Sequence, residues 1–202
     1  MKKIIIFLVF ASAVPCLYGQ NKSMMSTGPL PFREIPDYPS EFTPETVVAR
    51  MIDGLGFRYY WATEGLRAED LAFRPSEGAR NSEATIDHIL GLSNVILNSM
   101  RRAPNTSGGE DISTLSFQEK RKRTLENLQE ASNILKSGRG TLADYPIIFE
   151  RAESVSEYPF WYQLNGPIAD ALWHVGQVVT FRRSSGNPLN PKVSVFSGKV
   201  RE

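Results

Sequence analysis

Residues 165–188, NGPIADALWHVGQVVTFRRSSGNP, constrain the fold more than any other stretch because they contain both the start and the stop of one helix. Asn165 or Gly166 can serve as the N-cap, and Pro167 suits the first turn because its missing N–H would have been unpaired there. Gly186 followed by Pro188 is typical of a helix end. The segment therefore predicts a helix over residues 167–184.

Two faces of this helix carry different chemistry. An apolar stripe recurs at spacings of three and four residues and indicates a face that packs on a core. Its members are Ile168, Leu172, Val175 and Val179. Asp170, His174 and Gln177 recur at the same spacing and stack along another side. A carboxylate and an imidazole one turn apart can bind one metal ion together, and Gln177 is placed to orient a ligand or a bound water.

Three further helices are indicated by similar start and stop signals. Their starts are capped by Thr43, by Asn81 or Ser82, and by Ser116, which opens a capping box. They are predicted to end near residue 64, before Pro104 and near residue 136. Residues 66–80 read as a connector with one short helical turn, and residues 141–162 as a region of short extended pieces that cannot be placed.

Four long helices in a chain of 202 residues predict an all-α fold, a four-helix bundle over residues 44–188. Residues 20–43 are rich in proline and predict an extended lead-in. Residues 189–202 predict an irregular C-terminal tail that packs against the bundle.

Residues 1–19 have the build of a secretory signal peptide. Lys2 and Lys3 precede an apolar run, and small and polar residues follow as far as Gly19. The run is shorter than the ~20 apolar residues of a membrane-spanning helix. We therefore expect an exported, periplasmic protein with no transmembrane segment after cleavage. Cys16, the only cysteine, offers lipid anchoring as the alternative.

The charge balance argues against a nucleic-acid partner. Removal of residues 1–19 takes two lysines and leaves 21 basic against 22 acidic residues, a net charge of −1. Nucleic-acid binding normally requires a basic surface.

The two histidines of the chain lie on different predicted helices, the second and the fourth. The simplest site that uses both is a metal site of His88, Asp170 and His174. Two nitrogens and one carboxylate oxygen suit Zn, Ni, Fe or Mn and leave coordination positions open for water or substrate. No catalytic residue is assigned, although Glu150 and Glu153 lie in the unplaced region and either can supply a base.

Two motifs resemble the DinB-like family. The segment WHVGQVVTFRRSSGNP is similar to the signature of that family's last helix, with His174, Gly176 and Gln177 at matching positions. Asp170 stands where the family has a histidine. SEATIDHILGL resembles the phrase that carries the family's histidine on the second helix, here His88. The resemblance covers residues 44–188.

The resemblance implies a four-helix bundle with a divalent metal held by three side chains and frequent homodimers. It does not imply DNA binding. Characterised members perform transfer or isomerisation with a small thiol cofactor. The expected function is thus an exported metal-dependent enzyme of the hydrolase or thiol-dependent transferase type, acting on an unknown small molecule. The alternative is a non-catalytic binding protein of the cell envelope whose metal is structural or absent.

Overall fold

The computed structural model describes residues 28–108 and 111–202. The predicted signal peptide, Cys16 and the first part of the lead-in lie outside the described residues. Within the described ranges, no helix is both long enough and apolar enough to cross a membrane.

The chain contains six helices and five short strands within the described ranges. The helices are α1 Pro44–Thr63, α2 Ala68–Ala72, α3 Ser82–Met100, α4 Phe117–Lys136, α5 Trp161–Gln163 and α6 Ala169–Ser184. The strands are β1 Asn105–Thr106, β2 Ile147–Arg151, β3 Ser154–Tyr158, β4 Val193–Ser194 and β5 Lys199–Val200. Short 3₁₀ turns cover Ile112–Thr114 and Leu142–Asp144, and a π-helical turn covers Leu164–Ile168.

The four long helices pack around one apolar core. Helix α4 packs on α1 and α3, and α6 packs on the same two helices. The core contains the largest fully buried side chains, and burial of such apolar surface is the main source of stability. These side chains are Tyr59, Phe57, Ile52, Leu55, Ile86, Ile89, Leu90, Ile96, Leu125, Leu128, Leu135 and Ile168.

The predicted starts of three helices are confirmed. The Thr43 side chain accepts a hydrogen bond from the Thr46 backbone N–H at the start of α1. Asn81 accepts from the Ala84 N–H in the same way at α3. At α4, Ser116 and its partner Glu119 form the predicted capping box. These contacts satisfy N–H groups that have no partner inside a helix.

The predicted start of the last helix is wrong. Helix α6 begins at Ala169 and continues a π-helical turn over Leu164–Ile168, so no side chain caps it. Pro167 lies inside this turn, and Gly166 before it has a non-helical backbone with φ −93° and ψ −106°. Proline disfavours the helical conformation of the preceding residue, which explains a wide turn here instead of a clean start.

The prediction of an all-α four-helix bundle is wrong, because the fold is mixed and contains two small sheets. In the first, β2 lies between β1, which runs parallel to it, and β3, which runs antiparallel. The second is the β4–β5 hairpin, where an irregular tail was expected. Isoleucine, phenylalanine, valine and tyrosine favour extended backbone in β2 and β3. Both strands are short, so their pattern in the sequence is weaker than the apolar periodicity of the long helices.

The lead-in packs on α1 and also contacts the C-terminal hairpin. Phe32 is buried against Gly56, where an added Cβ would lie 2.5 Å from the Phe32 ring. The Trp61 indole N–H donates to the Arg33 carbonyl at 3.1 Å. Ile35 donates its backbone N–H to Gly198, which joins the lead-in to the hairpin. Phe32 of the lead-in thus belongs to the core, which the proline content of the segment did not predict.

Buried polar side chains hold the C-terminal end of α6 in place. Arg182 donates from Nη1 to the carbonyls of Trp61, Ala62 and Glu64, and so caps the C-terminus of α1. Asp70 of α2 is fully buried and accepts hydrogen bonds from Arg67 and Ser185. These contacts fix the position of α6, which carries two of the predicted metal ligands.

Candidate metal centre

Two neighbouring helices bring the three predicted ligands together. His88 lies on α3, whereas Asp170 and His174 lie on α6, which packs directly against α3. Asp170 and His174 are four residues apart on one helix and therefore share a face. His88 comes from a distant part of the sequence and completes the group through helix packing.

Asp170 lies between the two imidazoles. Its Oδ2 is 3.1 Å from His88 Nε2, and its Oδ1 is 3.2 Å from His174 Nε2. The two rings are nearly perpendicular, with centroids 4.7 Å apart. One ligand atom from each residue lies within 4.8 Å of the others. Each Nε2 thus points toward the same small volume beside the carboxylate.

Gln177 contacts the opposite edge of one imidazole. Its side-chain Oε1 lies 2.8 Å from His174 Nδ1, one helical turn along α6. An amide oxygen only accepts, so this contact requires a ring proton on Nδ1. Nε2, which faces Asp170, is then the nitrogen that would bind a metal ion. Such a contact on the outer nitrogen orients a ligating histidine in many metal sites.

The centre is open to solvent on one side. The side chains of His88 and Asp170 are 36% and 35% exposed, and that of His174 is 15% exposed. His174 and Gln177 also line a pocket of about 370 Å³ between α6 and the connector after α2. Arg80 lines the same pocket. A small molecule can therefore reach the ligand atoms without a change in the fold.

The donor set fits a divalent cation. Two imidazole nitrogens and one carboxylate oxygen are common ligands of first-row transition metals. Within the described ranges, His88, Asp170 and His174 form the group of histidine, cysteine and acidic residues whose ligand atoms are close enough to hold one ion. The cluster can therefore hold a metal ion, as predicted.

The acidic residues considered as bases do not join this cluster. Glu150 lies on β2 and Glu153 in the turn that follows, and both are exposed. Sequence reasoning missed Arg80, because an arginine beside a proline- and glycine-containing connector gives no local signal. Only the packing of that connector against α6 places Arg80 beside His174.

No protein-family model, curated protein or solved structure matches this chain. The resemblance to the DinB-like family therefore stays a prediction from the motifs that contain His88 and His174.

Proposed function

We propose that this protein is a divalent-metal-dependent enzyme of the hydrolase or thiol-dependent transferase type, with His88, Asp170 and His174 as the metal ligands. The observation that carries the proposal is the convergence of three ligand atoms within 4.8 Å of one another. The motif resemblance to the DinB-like family supports the same ligand positions.

The exposure of the centre favours catalysis over a structural metal. Structural zinc sites are usually closed by four protein ligands, whereas catalytic sites keep a position for water or substrate. Here the described residues offer three ligands, and two of the three side chains are about one-third exposed. In the DinB-like pattern a histidine stands at the position of Asp170. A carboxylate is a harder ligand than an imidazole, so this site should prefer Fe or Mn more than a site of three histidines does.

The residues of the chain have separate roles in this proposal. A bound divalent cation would act as a Lewis acid and lower the pKa of water or of a substrate thiol. His88 and His174 would supply neutral nitrogens, and Asp170 would neutralise part of the cation's charge. Gln177 would accept a hydrogen bond from the Nδ1 proton of His174 and so leave the Nε2 lone pair for the metal ion. Arg80 is placed to attract an anionic part of a substrate entering the adjacent pocket.

Metal content tests the ligand assignment. The full chain is stripped with a chelator and incubated separately with Zn²⁺, Ni²⁺, Mn²⁺ and, without oxygen, Fe²⁺. Bound metal is then measured by mass spectrometry after removal of the excess. We expect stoichiometric metal in the wild type and in the control Glu150→Gln, and its loss in the double variant Asp170→Ala, His174→Ala. Equal and negligible metal in all three would refute the proposal.

Activity distinguishes the enzyme from a binding protein. The metal-loaded wild type is assayed against ester, amide and thiol-transfer substrates beside the double variant. Turnover that requires both metal and the intact ligands supports the enzyme. Stoichiometric metal without any metal-dependent turnover would favour the non-catalytic binding protein of the cell envelope.

A further inference from the structure

A second cleft lies outside the metal centre, between the β2–β3 hairpin and the helical segment that precedes α6. Its volume is about 370 Å³, and none of the three proposed ligands lines it. One wall is the hairpin, and the other contains Tyr162 of α5 together with Gly166 and Pro167 of the π-helical turn. Volumes of this size suit a small organic molecule.

The register of the hairpin determines which side chains face the cleft. Phe149 pairs with Ser156 and Arg151 pairs with Ser154, and all four line the cleft. Side chains alternate between the two faces of a strand, so the intervening residues point to the other face. The outer face carries Glu150 and Glu157, while Arg151 is the one charged residue lining the cleft. The hairpin therefore separates an acidic outer face from a basic inner face.

Aromatic rings form the apolar part of the cleft. The Phe149 and Tyr158 rings meet edge to face with centroids 6.1 Å apart. Tyr158 and Tyr162 continue the series across the cleft, with centroids 5.2 Å apart. Tyr158 and Tyr162 are 38% and 53% exposed, so much of their ring surface is available to a ligand. Rings in this arrangement favour a flat aromatic partner.

The polar end of the cleft has unused hydrogen-bonding groups. In the described part of the chain, the side chains of Arg151, Ser154 and Ser156 have no hydrogen-bond or ion-pair partner. A planar guanidinium binds a carboxylate through two parallel hydrogen bonds, and adjacent hydroxyls can donate to the same group. An aromatic wall ending in these three groups matches a flat ring that bears a carboxylate.

We propose that this cleft binds a small aromatic carboxylate, with the ring against Tyr158 and Tyr162 and the carboxylate on Arg151. The site is independent of the metal centre, so binding occurs in the metal-free protein. If the cleft does not bind such a carboxylate, the proposed assignment of the metal ligands is not affected.

Calorimetric titration of the metal-free full chain tests this site with 2-naphthoate as the probe. The neutral analogue 2-naphthamide and the non-aromatic acetate are titrated beside it. We expect 2-naphthoate to bind at one site per chain and at least tenfold more tightly than either comparison compound. No binding of 2-naphthoate, or equal binding of acetate, would overturn the proposal.

Matched variants locate the carboxylate. Arg151→Gln should weaken 2-naphthoate binding at least tenfold and leave 2-naphthamide binding unchanged. Two controls should bind 2-naphthoate as the wild type does: Glu157→Gln, on the outer face of the same hairpin, and Arg183→Gln, roughly 20 Å along α6 from its first residue. Circular dichroism confirms that each variant is folded. Binding of 2-naphthoate by Arg151→Gln at wild-type affinity would show that the arginine does not hold the carboxylate.

Discussion

The contact between Gln177 and His174 allows a quantitative test of the metal centre. The substitution Gln177→Leu removes the acceptor for the Nδ1 proton and keeps a side chain of similar size and helix propensity. Without this acceptor, the ring can rotate or carry its proton on Nε2, and either change removes the lone pair that would bind the metal ion. We therefore expect weaker metal binding with an unchanged fold.

The size of the effect follows from the surroundings of this hydrogen bond. One neutral hydrogen bond contributes about 0.5–1.5 kcal/mol net, and loss of a residue that orients a ligand costs about 10- to 100-fold in metal affinity. Gln177 is only partly buried, so water can replace part of its function. We expect the low end, about tenfold weaker binding, which corresponds to about 1.4 kcal/mol.

A competition titration measures this difference. The metal-free protein is titrated with Zn²⁺ in the presence of a chromophoric chelator of known affinity, at one fixed pH. Gln177→Glu retains an acceptor on the same atom position and should bind Zn²⁺ at least as tightly as the wild type. Wild-type affinity in Gln177→Leu would refute the orienting role. Equal weakening in both variants would show that the hydrogen bond is not the cause.

Two further predictions concern stability. The hydrogen bonds from Arg67 are the largest cause that holds the pKa of buried Asp70 well below its usual range, and burial opposes them. Asp70→Asn should therefore cost roughly 3 kcal/mol of unfolding free energy at pH 7. Because the folded-state pKa is depressed, this contribution is complete above the unfolded-state pKa of about 4 and is lost progressively as the pH falls toward the folded-state pKa, so the stability difference in urea titrations should be smaller at pH 2 than at pH 7. Gly56→Ala should lower the unfolding free energy by about 1–3 kcal/mol because the added Cβ would overlap the Phe32 ring. Gly91→Ala should raise it by roughly 0.5–1 kcal/mol because the added Cβ meets open space and alanine favours the helix. Equal thermal shifts in the two alanine variants would contradict the packing of Phe32.

The helices were predictable because their signals are local. Thr43, Asn81 and Ser116 cap the helices that follow them, and each makes its contact within three residues of the chain. The pair of Asp170 and His174 was predictable for the same reason, since a spacing of four residues defines a shared helix face. The sequence predicts such features well because no distant contact is needed to form them.

Short extended pieces were expected over residues 141–162, where β2 and β3 lie, but their pairing into sheets was not predictable because its signals are weak or distant. All five residues of β3 are exposed, so the strand lacks the alternation of apolar and polar residues that marks a half-buried strand. Strand β1 has two residues and pairs with a strand about forty residues later. The packing of Phe32 on Gly56 likewise depends on a contact between two segments that have no shared periodicity.

The surroundings of Asp170 differ from those of the buried carboxylates that stabilise the fold. Asp53 is 1% exposed and pairs with Lys136, and fully buried Asp70 pairs with Arg67. Asp170 is 35% exposed and faces two imidazoles. Exposed ion pairs contribute at most about 1 kcal/mol, and two protonated rings side by side would repel each other. An ion pair here would therefore contribute little to stability. A cation bound by two neutral imidazoles and one carboxylate would instead have all three groups as ligands. This contrast supports the proposal that the cluster holds a metal ion.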